Sequence, residues 1–428
     1  MRMRLRTRLT LLAAAAIWLT AVASGSGQKT LTPSAMRNHA AIGYGTTPPA
    51  DAVARLGERL ERGDAALTFD PATGGYLRSV LTALGVPLDS QLLVFSKTSF
   101  QARKIGPQNP RALYFNDTVA VGFVRGGDIL EFVAQDPRQG AMFYTLENAA
   151  GPAPRIKRDL SCVQCHTWEA TSNVPGMFLG SGFPASDGSL LYAPVYSSDH
   201  RTPFQLRWGG WYVTGRHALP RHMGNATAAP GVELYDMVNP QTLNVASLEG
   251  KFDMAGYPSP HSDIVALMVL EHQARGLNLI TRVGWESRIG ADAGRPLSDA
   301  VDELVDYLLF VDEAPLPGPV TGASTFARTF PQPGPRDAKG RSLRDFDLED
   351  RLMRYPCSYL IYSAPFEALP ADARQAVYAR MWKIFSGAAT EPRYARLDPG
   401  DRQAVIEILA DTKKDLPSYF TAAALSTP

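Results

Sequence analysis

Five consecutive residues, Cys162-Val163-Gln164-Cys165-His166, restrict what this chain can fold around more than any other feature of its sequence. Two thiols two residues apart, with an imidazole directly after the second, is the arrangement in which thioether bonds fix the vinyl groups of a haem while the histidine ligates its iron. Cysteine and histidine are scarce here, 3 and 7 of 428 residues. At those frequencies the five-residue pattern arises by chance roughly once in 3000 such chains. The motif therefore points to one covalent haem c held by Cys162 and Cys165, with His166 as the proximal iron ligand.

Three other chemistries use a Cys-x-x-Cys pair. A thioredoxin-like dithiol needs a strand-to-helix junction in a βαβ context, and Ile156-Lys157-Arg158-Asp159-Leu160 shows no such strand. A disulfide between Cys162 and Cys165 closes a small, strained loop. A zinc site using Cys162, Cys165 and two histidines from elsewhere in the chain is the third; the remaining cysteine, Cys357, lies among apolar Leu360 and Ile361 and reads as a buried free thiol.

The N-terminus agrees with the haem reading. Arg2, Arg4, Arg6 and Arg8 precede an apolar run from Leu9 to Val22, and Ala21-Val22-Ala23 supplies the small residues that a signal peptidase needs. The run is shorter than the roughly 20 residues of a membrane-spanning helix. Residues 1–23 are thus expected to be a cleaved signal, which places the mature protein in the periplasm or outside the cell, where haem is attached to such motifs. No later stretch reaches membrane-spanning length without charges: Ile264 to Ile280 contains Glu271, His272 and Arg275. Lys plus Arg (43) and Asp plus Glu (42) nearly cancel, so no broad field favours nucleic acid or an anionic membrane surface.

The pattern predicts an α+β protein. Residues 24–150 form a mixed, β-rich unit: Val53, Leu56 and Leu60 have amphipathic-helix spacing, Leu77 to Leu84 suggests another helix, and five strands follow at Leu92 to Phe95, Ala112 to Phe115, Val119 to Val124, Ile129 to Val133 and Met142 to Leu146. Arg125-Gly126-Gly127-Asp128 closes a hairpin through positive φ at two glycines. Residues 151–314 form the haem region, loop-rich at first. A helix capped by Ser262 then carries Ile264, Leu267, Met268, Leu270 and Leu277, and a second runs from Leu297 to Val311. Residues 315–345 are a Pro/Gly-rich connection. Residues 346–428 are a helical unit with segments at Phe346 to Tyr362, Ala371 to Phe385 and Asp398 to Thr412.

What fills the sixth iron position decides the function, since a thioether, a second imidazole and an open site suit different chemistry. Met177, Met223, His222 and His217 are the leading candidates. His200 and His272 are weaker ones, and His261 and His272 are eleven residues apart, three turns on one helical face. Arg207 is a candidate partner for a haem propionate.

Beyond the motif, Arg207-Trp208-Gly209-Gly210-Trp211-Tyr212-Val213-Thr214-Gly215, Arg221-His222-Met223-Gly224-Asn225, His261 to Leu267 and Tyr355 to Leu360 resemble segments of large, exported bacterial monohaem c-type cytochrome-like proteins of unassigned function. The resemblance runs from about residue 90 to 420 and implies haem binding through Cys162, Cys165 and His166, without a reaction or a sixth ligand. A haem carrier needs on the order of 100 residues. The surplus suits an electron-transfer protein that docks a redox partner. The alternatives are a haem peroxidase or oxidase, with His222 or His217 as distal acid/base, Arg207 as charge stabiliser and Trp208 or Trp211 as relay, and a non-catalytic haem ligand-binding sensor. A single motif excludes a multihaem wire.

Overall fold

In the computed structural model, residues 30–151, 153–191, 196–228 and 240–420 are described, so the expected signal at residues 1–23 lies outside them. Two helices, α1 (Pro33–Asn38) and α2 (Ala52–Arg62), and a third, α3 (Leu77–Ala83), precede a six-stranded antiparallel meander. Its strands are β1 (Leu92–Val94), β2 (Arg111–Phe115), β3 (Val119–Phe123), β4 (Ile129–Asp136), β5 (Gly140–Glu147) and β6 (Ile156–Arg158), paired strictly in sequence order. The first five are the strands that the apolar clusters mark. The sixth is an addition: Ile156–Arg158 pairs with Tyr144 to Leu146 of β5 as a short antiparallel edge strand. Tertiary pairing makes a strand here where local pattern is too weak to do so.

Alternation divides the sheet between two cores. Tyr114, Val121, Phe132, Tyr144 and their neighbours face Val53, Leu77 and Val80 of α2 and α3. Leu113, Phe115 and Ala120 face α4 (Ile264–Ile289). Helix α4 has nearly every residue from Ile264 to Ile280 buried, as a helix does when it is apolar on all sides and runs through a core. Its N-cap is Asp263, whose Oδ1 accepts the Val265 and Ala266 N–H groups at 2.8 and 3.2 Å. The expected cap, Ser262, instead donates its hydroxyl to the Tyr212 carbonyl and accepts from Leu93 N–H, tying the helix start to β1.

Around α4 gather α5 (Leu297–Leu308), α6 (Phe326–Thr329), α7 (Ala364–Glu367) and α8 (Ala371–Phe385), and α9 (Pro399–Thr412) packs on α8. Two small antiparallel ribbons complete the body, β7 (Leu179–Ser181) with β8 (Tyr196–Ser198) and β9 (Gly215–His217) with β10 (Val320–Gly322). The fold is α+β, β-rich before the motif and helical after it. One apolar cluster nevertheless runs from Leu92 through α4 to Phe420. The Pro/Gly-rich stretch is folded into it: Phe326 stacks 5.6 Å from Phe115.

Three local expectations need correction. Phe346 to Tyr362 is not a helix but a Phe346–Met353 bridge followed by a single 3-10 turn at Tyr359–Tyr362. Only Gly126 of the hairpin pair has positive φ, 69°. Gly127 is needed for space, because a Cβ there would stand 2.4 Å from Gln101 Oε1. His261 precedes α4, so it shares no helical face with His272. Cys357 is a fully buried free thiol, as its apolar neighbours suggest.

Candidate haem attachment site

The chain leaves β6 and at once turns into a 3-10 helix, Leu160–Gln164, capped by Asp159, whose Oδ1 accepts the Ser161 N–H at 2.9 Å. Within that turn the N–H groups of Cys165 and His166 both reach the Cys162 carbonyl, at 3.2 and 3.0 Å. Cys162, Cys165 and His166 therefore share one turn of helix, as a single planar group bonded to all three requires. Cys162 is half-buried and Cys165 exposed, and neither is in a disulfide. Burial, with Asp159 and Glu131 nearby, pushes the Cys162 thiol up to about 11. A catalytic dithiol needs the opposite shift. Strand β6 is antiparallel to its neighbour, so the βαβ context of a thioredoxin site is missing as well. Among the described residues no cluster of three or more His, Cys, Asp or Glu is placed to hold a metal ion.

His166 is fixed by a loop that returns to it. Ser172 and Asn173, both at positive φ (58° and 63°), reverse the chain after Trp168. Pro175 then accepts the Ala141 N–H of β5 at 3.2 Å. Gly176 binds His166 twice: its N–H donates to the His166 carbonyl at 2.9 Å, and its own carbonyl accepts from His166 Nδ1 at 2.9 Å. With Nδ1 the donor, Nε2 keeps its lone pair. This is the tautomer of a histidine that ligates iron through Nε2, with its other nitrogen on a backbone carbonyl. Burial holds the ring below its usual range, hence neutral. A Cβ on Gly176 would lie 2.2 Å from Asn278 Oδ1 of α4, so only glycine brings the loop this close. Phe143 and Phe178 flank the imidazole at 4.9 and 5.8 Å, and Trp168 stands edge-on to Phe178 at 5.5 Å. Leu160 and Trp168, on either side of the motif, are exposed by 47% and 36%. These two side chains leave an exposed apolar rim beside the motif.

The sixth-ligand candidates are placed as follows. Met177 directly follows Gly176, and its carbonyl accepts from Asn278 Nδ2 at 2.8 Å. It lines a cavity of about 20 Å³ between the sheet and α4, room for one water molecule. Met223 is buried, its sulfur 4.0 Å from the Ser181 hydroxyl. His217 and His222 face one another, Nε2 to Nε2, at 3.1 Å. His222 Nδ1 accepts the Gly224 N–H at 3.0 Å, so the neutral ring carries its proton on Nε2 and directs it at His217. Both of its nitrogens are committed. His200 and His272 share a hydrogen bond between their Nδ1 atoms at 2.8 Å, and His272 Nε2 meets the Ser358 hydroxyl at 2.6 Å. The aromatic rings beside His166 are Phe143 and Phe178 and include no second imidazole.

Arg207 is elsewhere engaged. It is buried, with Nη1 at 3.2 Å from Glu271 Oε2, Nε donating to the Thr202 carbonyl at 2.7 Å and Nη2 to the His200 carbonyl at 2.8 Å. Glu271 completes the set by accepting from the Ser198 hydroxyl at 2.5 Å. The Trp-Gly-Gly-Trp segment also has a structural explanation. A Cβ on Gly209 would meet the Gly182 carbonyl at 2.0 Å, and Gly210 crosses Ser96 as closely as 2.7 Å. Met223 and Asn225 hydrogen-bond back to Arg207 and Trp211, so the two segments that carry the resemblance form one unit.

Sequence reasoning missed four residues: Gly176 and the Arg111–Glu131 pair near the motif, and Glu271, which occupies Arg207. Their only local signals are a glycine after Pro175 and charges inside otherwise apolar runs. No protein-family model matches the chain, and neither a curated protein nor a solved structure is similar to it.

Proposed function

We propose that this chain is an exported monohaem c-type cytochrome-like protein that transfers electrons, with haem attached through Cys162 and Cys165 and His166 as proximal ligand. The observation that carries the reading is the hydrogen bond from His166 Nδ1 to the Gly176 carbonyl of the returning loop, made by a histidine that shares one turn with both thiols. It sets the tautomer and the orientation an iron-ligating imidazole needs. Bound haem supplies one-electron chemistry at iron. The chain's own residues hold the ring, exclude water with Phe143 and Phe178, and leave an apolar rim at Leu160 and Trp168 for a redox protein partner.

Electron transfer is favoured over peroxidase chemistry by the fate of the residues that the latter needs. His222 spends one nitrogen on His217 and the other on the Gly224 N–H, and Arg207 is consumed by Glu271 and two carbonyls. The N-terminal signal supports a periplasmic or secreted location. Among the described residues no helix is long and apolar enough to cross a membrane.

Expression with a haem-attachment system tests the reading. The expected product keeps haem through denaturation, loses it in Cys162→Ala with Cys165→Ala, and is low-spin and six-coordinate in both oxidation states. Haem lost on denaturation refutes covalent attachment. A high-spin ferric spectrum with rapid carbon monoxide or peroxide binding refutes electron transfer.

A further inference from the structure

Helix α4 covers only part of the sheet face on which His166 rests. It reaches Gln135, which donates to Thr281 at 3.0 Å, and Gly140, where a Cβ would touch the same threonine. On this face the register aligns Leu113, Gly122, Glu131, Thr145 and Lys157 across the strands, one step along from the row that ends in Phe143. From Glu131 outward the face is no longer fully buried: Glu131 and Thr145 are half-buried and Lys157 is exposed. This corner lies beside the motif, since Phe143 contacts the His166 ring and Glu131 acts on both Cys162 and His166.

An ion pair spans the corner. Arg111 reaches from β2 over β3 to Glu131 on β4, Nη2 to Oε2, at 2.5 Å. It passes directly above Gly122, where a Cβ would stand 2.6 Å from Nη2 and 2.9 Å from Nε. Glu131 is steadied by the Ser99 hydroxyl at 3.2 Å. Arg111 Nε is buried and makes no hydrogen bond, and Glu131 Oε2 has only its ion contact with Nη2, so the guanidinium is incompletely used. A planar fork with donors to spare is suited to a carboxylate. Phe100, next to Ser99, is 63% exposed, the most exposed large apolar side chain among the described residues.

We propose that the haem carried by Cys162, Cys165 and His166 lies against this uncovered corner of the sheet and that Arg111, positioned by Glu131 over Gly122, takes up one of its propionates. The inference rests on the haem reading and replaces Arg207, whose donors are occupied, as the propionate partner. Glu131 keeps the guanidinium in place and offsets part of its charge.

The test uses the haem-loaded protein and three variants, Arg111→Gln, Arg111→Lys and Glu131→Gln. Covalent haem content, measured after denaturation, is expected to be unchanged in all. Arg111→Gln is expected to lower the midpoint potential and to shift the propionate bending band in the resonance Raman spectrum. Arg111→Lys is expected to restore most of both, and Glu131→Gln to raise the potential. If Arg111→Gln alone folds poorly because Glu131 is left unpaired, Arg111→Gln with Glu131→Gln removes both charges and must still show the shifted band. Full covalent haem with a propionate band indifferent to Arg111 overturns the assignment alone. Wild-type protein without covalent haem overturns the haem reading and the assignment together.

Discussion

Gly176 and Glu271 show what single residues decide here. Gly176→Ala forces the loop off Asn278 and so off His166, with an expected loss of about 1 to 3 kcal/mol in denaturant unfolding. In haem-loaded protein it is also expected to raise the potential, because an imidazole that loses its Nδ1 acceptor is a weaker donor to ferric iron. Glu271 is fully buried against Arg207. Arg207→Met leaves that carboxylate uncompensated and is expected to destabilise by about 3 to 5 kcal/mol, whereas Arg207→Met with Glu271→Leu is expected to recover much of the loss. A double-mutant cycle in urea checks both, and a double variant no better than the single one contradicts the buried-pair account. The two cases mark what sequence reading reaches at this scale. The candidate set Cys162, Cys165 and His166 can be proposed from sequence because it lies in five adjacent residues. Glu271 is 64 positions from Arg207, so nothing local announces that the arginine is already occupied. The same holds for Arg111 and Glu131, which only strand register brings together.

Among the elements, α4 is the clearest case of a segment legible in kind and missed in detail. Apolar spacing from Ile264 to Leu277 marks the helix, but the cap falls on Asp263 rather than Ser262, since both are good caps and tertiary bonds assign the roles. Asp263 also accepts from the Ser324 N–H and hydroxyl through Oδ2, at 2.7 and 2.8 Å. Asp263→Ala thus removes a cap and an anchor for the segment after β10, an expected loss of about 2 kcal/mol or more. Ser262→Ala keeps the cap but leaves the Leu93 N–H without its acceptor, and about 1 to 3 kcal/mol is expected. Thermal melts of the two variants separate these roles. Strands β1 to β5 are legible from their apolar clusters, whereas β6 exists only because β5 offers it an edge. Phe346 to Tyr362 fails as a helix because Pro356 interrupts it and biases Tyr355 away from helical backbone.

For the whole molecule, the buried histidines set an acid limit. Burial holds His222 and His272 down to about 3 against an ordinary value of 6.5. Between these values the unfolded chain binds protons that the folded chain refuses, so stability falls as pH drops from about 6.5 towards 3, by on the order of 1 kcal/mol per pH unit for each ring. Glu313 has the opposite sign. Burial raises its carboxyl to about 7, so its contribution is lost as pH rises from about 4.5 to 7. Urea midpoints are expected to peak at pH 6 to 7, and Glu313→Gln is expected to gain stability relative to wild type as pH rises across that window. A wild-type midpoint that climbs from pH 7 down to pH 4 contradicts the histidine account.

The continuous apolar cluster from Leu92 to Phe420 bears on whether the Cys162–His166 motif is portable. His166 is held from one side by β5, from another by a loop pinned on α4, and α4 is itself enclosed by helices from the last hundred residues. A fragment cut to residues 151–314 discards the sheet beneath the imidazole and the outer cover of the helix that pins it. Such a fragment is expected to be insoluble or proteolysed, and the intact chain to melt in one transition rather than shed a small cytochrome domain. A truncation, fusion or graft of the motif is therefore expected to need the sheet, α4 and the helices around it carried over with it.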